Sequence, residues 1–247
     1  MTKEQKAVAH QLTSLFENVT PKIQYGYTEY LGDGRGITCG RAGFCTGTGD
    51  AFLVVERYGE VSPGNELEKF LPALLRLNDA DDPDDISELR GFISAWRRAS
   101  RSDEFCRVQD EITDELYWHP SQRYAEQLGL RTPLARAFIW DTIIQHGDSD
   151  DPDGLQSLLM RANALVGGTP QTDVDEAVWL DAFIRVRRAD LSFCAVESSR
   201  EVWAESVERC DVFTQIAASG NWKLKTPFSV TLDGRKFRLG SLSEISS

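Results

Sequence analysis

The chain has 247 residues, 41% hydrophobic and 10% aromatic, enough to bury the core of one large domain or of two smaller lobes. Its 39 acidic and 27 basic residues leave a formal charge of −12, a surface that repels nucleic acid backbones and anionic membranes and attracts cations. No apolar run is long enough to span a membrane, and MTKEQKAVAHQL at the N-terminus lacks the apolar segment of a signal peptide, so the chain is expected either inside the cell or in mature form.

Val8, Leu12, Leu15 and Val19 recur at helical spacing, and Pro21 ends the run. Glu17 falls in the last turn of that helix. The helix dipole disfavours a carboxylate there, which points to a purpose other than stability. Ile23, Tyr25 and Tyr27 then alternate, and YLGDGRGITCGRAGFCTGTGD follows at 30–50, crowded with glycine. A flexible linker would not interleave Tyr30, Leu31, Ile37, Cys39 and Phe44, which favour burial. GDGRG is half of a dinucleotide-binding fingerprint, but the alternating ITCGRAGF behind it opens no helix and no Gly-Lys-Ser/Thr follows. The remaining reading is a small antiparallel sheet whose first turn, GDGRG, presents Asp33 and Arg35 to a ligand.

Helical patterns dominate the rest. AFLVVERY follows Asp50, and Asn65 is placed to cap NELEKFLPALLRLN. NDADDPDD at 78–85 is an acidic loop, after which one helix runs through Trp96 and another carries Phe105, Val108, Ile112 and Leu116. HPSQRYAEQLG makes a short helix ending at Gly129. Thr132 and Pro133 open PLARAFIWDTIIQ, which is apolar nearly all round and therefore central. Asp141 sits inside it. A buried carboxylate needs a partner, and Arg187 in AFIRVRRADL is the candidate. DSDDPDG at 148–154 fails the calcium-loop pattern and reads as a solvated acidic loop. Helices are expected at 155–165, about 174–193 and 200–219, and SVTLDGRKFRLGSL reads as a hairpin around a DG turn.

The five cysteines, Cys39, Cys45, Cys106, Cys194 and Cys210, are odd in number and contain no C-x-x-C, which argues against zinc and redox motifs and allows two disulfides at most. His10, His119 and His146 lack metal-ligand spacing; each is expected at the surface or as a cap, His146 as a cation at the helix end before Gly147. Neither a metal nor any other cofactor is expected. Trp96, Tyr25 and Tyr27 are candidates either for the core or for stacking on a flat ligand.

The ordered segments ENVTP, QYGYTEYLGDGRGITCGRAGFCTGTGD, PGNELEKFLPAL, FCRVQDEITDELYW, FIWDTIIQHG and WAESVERCD resemble the chitosanases of glycoside hydrolase family 46, from about residue 5 to about residue 225. The resemblance implies a mainly α (α+β), lysozyme-like fold of two lobes, with a small antiparallel sheet beside the cleft and residues 1–247 forming one catalytic domain. It implies an endo-acting hydrolase of the β-1,4 links of chitosan that inverts the anomeric centre. Glu17 matches the general acid and Asp33 the general base. Thr38 matches the threonine that helps hold the attacking water. Arg35, in the same turn, and Asp50 are implied to bind substrate, and Asp50 matches the residue that meets the sugar amine. Asp141, Arg187 and Arg209 match a supporting charge network. The implied partners are chitosan and glucosamine oligosaccharides, with neither nucleic acid nor membrane, for a secreted monomer whose signal peptide is not present in this chain.

The chemistry agrees with these roles. Inversion needs one protonated carboxylic acid at the leaving oxygen and one ionised carboxylate across the sugar, roughly 6.5–9.5 Å away, with water between them. Glu17 at a helix C-terminus is expected to hold its proton, and Asp33 beside Arg35 to stay ionised. An acidic cleft concentrates a polycation. Two alternatives remain: a lysozyme-like hydrolase of another amino-sugar polymer, or a non-catalytic acidic binder of a cationic polysaccharide.

Overall fold

Thr2 and Gln5 form a reciprocal capping box that starts α1, Lys3–Asn18, in a computed structural model that describes residues 1–195, 197 and 200–240. α1 buries Val8, Leu12 and Leu15. Val19, expected on the same stripe, lies beyond it: the helix stops at Asn18, and Val19 takes a left-handed backbone with φ 54° and a half-exposed side chain. Glu17 is in the last turn, as expected. The chain divides into one unit of Met1–Lys22 with Tyr117–Ser247 and another of Ile23–Leu116.

The Ile23–Leu116 unit holds the glycine-rich segment. Strands β1 (Thr28–Tyr30), β2 (Ile37–Cys39) and β3 (Phe44–Cys45) form an antiparallel sheet, pairing Tyr30 with Ile37 and Thr38 with Cys45. GDGRG is the turn between β1 and β2. Gly32, Gly34 and Gly36 flank Asp33 and Arg35 at φ 66°, 85° and 76°, a backbone that side chains resist. Helices α2 (Asp50–Val61), α3 (Leu71–Asn78), α4 (Phe92–Ala99) and α5 (Asp103–Thr113) complete the unit. Asn65 accepts from Leu67 N and opens a 3-10 turn, Glu68–Phe70, ahead of α3. Trp96 resolves to core: it is fully buried among Phe44, Phe92 and Phe105, with its indole N–H given to Tyr25 O. Tyr25 donates to Asp110 and Tyr27 to Glu29.

A π-helical turn, Asp114–Trp118, leads into the helices of the other unit: α6 (His119–Gln127), α7 (Pro133–His146), α8 (Leu155–Val166), α9 (Glu176–Ser192), α10 (Arg200–Ala204) and α11 (Glu208–Ala218). Thr132 caps α7 through Ala135 N with Pro133 at its first position, and α7 packs against α1, α6, α8 and α11, which explains its apolar circumference. The single helix expected over 200–219 is interrupted by a 3-10 turn, Glu205–Val207, after which α11 buries Arg209 with Cys210 and Phe213. Strands β4 (Phe228–Leu232) and β5 (Arg235–Leu239) form the expected hairpin, with Asp233 and Gly234 both at positive φ in its two-residue turn. Residues 241 and 242 of that motif lie outside the described residues.

Three expectations are corrected by burial. His10 is buried between the rings of Trp118 and Trp140, and His146 is buried at the end of α7; only His119 is exposed. The 148–154 loop is not wholly solvated: Asp153 is 9% exposed, and both its oxygens accept from Ala195 N. The five cysteines form no disulfide.

Candidate active site

In the unit that contains α1, α7 and α9, four of the expected residues are joined. Asp141 and Arg187 are both fully buried, with Arg187 Nη1 2.8 Å from Asp141 Oδ2. Thr13 donates to Asp141 Oδ1 at 3.0 Å, and Arg209 Nη1 lies 3.5 Å from the same oxygen. The other arm of Arg209 donates to Glu17 Oε1 at 2.5 Å. Glu17 is 42% exposed in its side chain against 7% for Arg209, so the relay runs from the protein interior to an accessible carboxylate. Burial on its own would lower the pKa of Arg209. The charges of Glu17 and Asp141 outweigh it and raise the pKa, so the guanidinium stays charged.

Sequence reasoning missed the inner end of this relay. Arg187 also donates to Gln145 Oε1 at 2.7 Å and to His146 Nε2 at 3.3 Å. His146 Nδ1 faces the Asp153 carbonyl at 2.8 Å, and a carbonyl only accepts, so Nδ1 carries the proton and Nε2 is the lone pair that receives Arg187. Burial, and then the charge of Arg187, push the His146 pKa down to about 2. A neutral acceptor replaces the expected helix-end cation. A signal for Gln145 was present, since it follows Asp141 by four residues on one face of α7. His146 gave none, because its role depends on contacts from Asp153 and α9.

In the Ile23–Leu116 unit, Asp33 and Arg35 pair within the turn. Arg35 Nη2 and Nε lie 2.6 and 3.0 Å from Asp33 Oδ2, and Arg35 N donates to Oδ1 at 3.2 Å. These bonds to Arg35 hold the Asp33 carboxyl below the usual range although burial opposes them, so it is ionised in mild acid, as expected. Thr38 is buried in β2, its hydroxyl 3.5 Å from Cys45 Sγ. Asp50 begins α2, and its Oδ1 receives Cys45 N, Thr48 Oγ1 and Ala51 N at 2.8, 2.7 and 3.1 Å. Burial nevertheless raises the Asp50 pKa. Thr38 and Asp50 thus meet at Cys45, which sequence reasoning did not single out.

A mainly helical, lysozyme-like protein that sets a helix-end glutamate on an arginine–carboxylate relay and an ionised aspartate in a glycine turn has the parts of a carboxylate-based glycoside hydrolase. The chain belongs to glycosyl hydrolase family 46, whose profile matches residues 11–228. It is 49% identical over 230 residues to a chitosanase of Bacillus subtilis (strain 168), covering 93% of this chain and 83% of that protein. Its fold is similar to the crystal structure of a native chitosanase from Bacillus subtilis MY002, with a TM-score of 0.91 and 48% identity over 97% of this chain and 99% of the other. It is also similar to a mutant of the MY002 chitosanase complexed with 6 GlcN, with a TM-score of 0.90 and 47% identity over 96% and 99% of the two chains. Among the described residues, no helix is long and apolar enough to cross a membrane.

Proposed function

We propose that this protein is a chitosanase, cutting β-1,4 links between glucosamine units inside chitosan chains with inversion. The observation that carries the reading is the Asp33–Arg35 pair, an ionised carboxylate in an exposed turn, in a family member whose relative is complexed with 6 GlcN. Asp33 is the general base and takes a proton from water that the Thr38 hydroxyl helps to hold. Glu17, positioned by Arg209, gives its proton to the glycosidic oxygen. One displacement by water then breaks the β link and leaves an α product. Arg35 orients Asp33 and keeps it charged. Asp50, with Oδ1 committed to three donors, meets a substrate ammonium through Oδ2. Asp141 and Arg187 support Glu17 through Arg209.

Residues 1–247 act in this reading as one monomeric catalytic domain. The protein works outside the cell on a polymer too large to enter it. The charge of −12 draws in a polycation, and neither nucleic acid nor membrane is a partner.

The test is the release of new reducing ends from chitosans of graded acetylation, with viscosity followed in parallel. The rate should fall as acetylation removes ammonium groups and as salt screens them. Viscosity should collapse early, as internal cutting requires. Equal rates on chitosan and chitin, or no new reducing ends from either, would refute the proposal.

A further inference from the structure

The turn that carries Asp33 has little packing of its own. Leu31, Gly32, Asp33, Gly34 and Arg35 are all exposed, and a Cβ built on Gly32 or Gly34 would meet nothing within 4 Å. The Asp33–Arg35 bonds are internal to the turn and cannot anchor it to the rest of the unit. Yet a general base must be held to within fractions of an ångström of the water it activates. The anchor comes from the acidic 78–85 loop. Asp84 Oδ1 accepts the backbone N–H of Gly36 at 2.8 Å, and Asp84 Oδ2 accepts the hydroxyl of Tyr30 at 2.6 Å. Tyr30 is the last residue of β1, and Gly36 immediately precedes β2, so one carboxylate grips both ends of the turn.

The neighbouring Pro83 seats the loop. A Cβ on Gly47 would lie 2.4 Å from Pro83 O and 2.8 Å from Pro83 Cβ, so glycine is what lets the loop approach. Gly47 N–H in turn donates to Arg35 O at 2.9 Å, tying the loop's seat back to the turn. Asp84 N is itself held by Asp82 Oδ1 at 3.1 Å.

We propose that Asp84 is a positioning residue for catalysis: it clamps the turn between β1 and β2 and so fixes the Asp33 carboxylate. This rests on the reading of Asp33 as the general base. Asp84 acts through the Tyr30 hydroxyl and the Gly36 N–H.

The test uses the full-length protein and a defined glucosamine oligomer. Asp84→Ala should lower kcat by about tenfold to a hundredfold, as expected for a misplaced catalytic group, with KM changed by less than about twofold. Asp84→Asn should keep most of the activity, because its carboxamide oxygen still accepts from Gly36 and its NH2 can donate to the Tyr30 oxygen. Tyr30→Phe removes one of the two grips and should fall between the wild type and Asp84→Ala. Added to Asp33→Ala, Asp84→Ala should change the residual rate by less than about twofold, because its effect passes through a group already gone.

Wild-type kcat and KM in a folded Asp84→Ala would overturn the inference. So would an equal loss of kcat in the Asp33→Ala background, which would mean general disruption. If Asp84→Ala does not fold, Tyr30→Phe and Asp84→Asn decide: a wild-type kcat in Tyr30→Phe overturns the clamp, and a reduced kcat at constant KM with Asp84→Asn near wild type supports it. High activity in Asp33→Ala alone would instead refute the reading of Asp33, an outcome separate from any result on Asp84.

Discussion

Arg209 reaches Glu17 from 192 positions along the chain, its Nη2 2.5 Å from Glu17 Oε1 while its Nη1 lies 3.5 Å from Asp141 Oδ1. One guanidinium thus couples an exposed carboxylate to a fully buried one. A lysine has the charge but lacks the two-pronged geometry. Arg209→Lys should therefore lower kcat by at least about tenfold, and Arg209→Ala by about a hundredfold, with smaller changes in KM. Steady-state kinetics on a glucosamine oligomer check this. A wild-type kcat in Arg209→Lys would mean that charge alone suffices.

Asp141 shares its buried environment with Arg187, both at 0% side-chain exposure. Removing the carboxylate leaves two arginines, Arg187 and Arg209, facing each other's charge without it. Asp141→Ala should cost about 3–5 kcal/mol of folding stability, read from urea unfolding at constant slope, and should also depress kcat through Arg209. A variant as stable as the wild type would show that the pair is solvated.

The bonds from Arg35 depress the pKa of Asp33, so the proposed base stays ionised as pH falls into the ordinary aspartate range. Removing the guanidinium lets the carboxyl take up its proton earlier. In Arg35→Met the acid limb of kcat/KM should accordingly move to higher pH. A shift to lower pH, or none, would contradict the pairing.

Burial acts on Asp50 in the opposite direction, raising its pKa. With Asp50 as the proposed partner of the substrate ammonium, its carboxylate is lost as pH drops through this raised value, while the amine remains charged. KM for glucosamine oligomers should rise on the acid side. Asp50→Asn should have a high KM at every pH and no such rise. A KM that is independent of pH in the wild type would place amine recognition elsewhere.

The two carboxylates proposed as acid and base should separate by rescue. Asp33→Ala and Glu17→Gln should each lose about 10²–10⁴-fold in kcat. Azide can take the place of the activated water and should restore part of the Asp33→Ala rate, but it supplies no proton to the leaving oxygen and should leave Glu17→Gln unchanged. Proton NMR of fresh wild-type digests should show the α-anomer first. An initial β-anomer would mean retention and would remove Asp33 from the role of base.

The sequence by itself determined what a few neighbouring residues can settle. Thr132 and Pro133 start α7, Asp233 and Gly234 turn the C-terminal hairpin, and the glycines of GDGRG place Asp33 and Arg35 in a turn between two strands. Each of these depends on backbone angles and hydrogen bonds spanning four residues or fewer. The motifs that mark the family also pointed to Glu17, Asp33 and Asp141, because those residues lie in segments whose order is distinctive.

The Asp141–Arg187 pair was anticipated from the need of a buried carboxylate for a partner, but tertiary structure decided the other pairings. Arg209 meets Glu17 across 192 residues, and Asp84 meets Gly36 across 48. Nothing in local periodicity ranks such partners, since the energy of a buried charge depends on what surrounds it in space. The same cause accounts for His146, read as a cation at a helix end and found buried and neutral. Val19 fell off its stripe because the end of α1 was settled by the turn that follows it, while apolar spacing carries no information about where a helix stops.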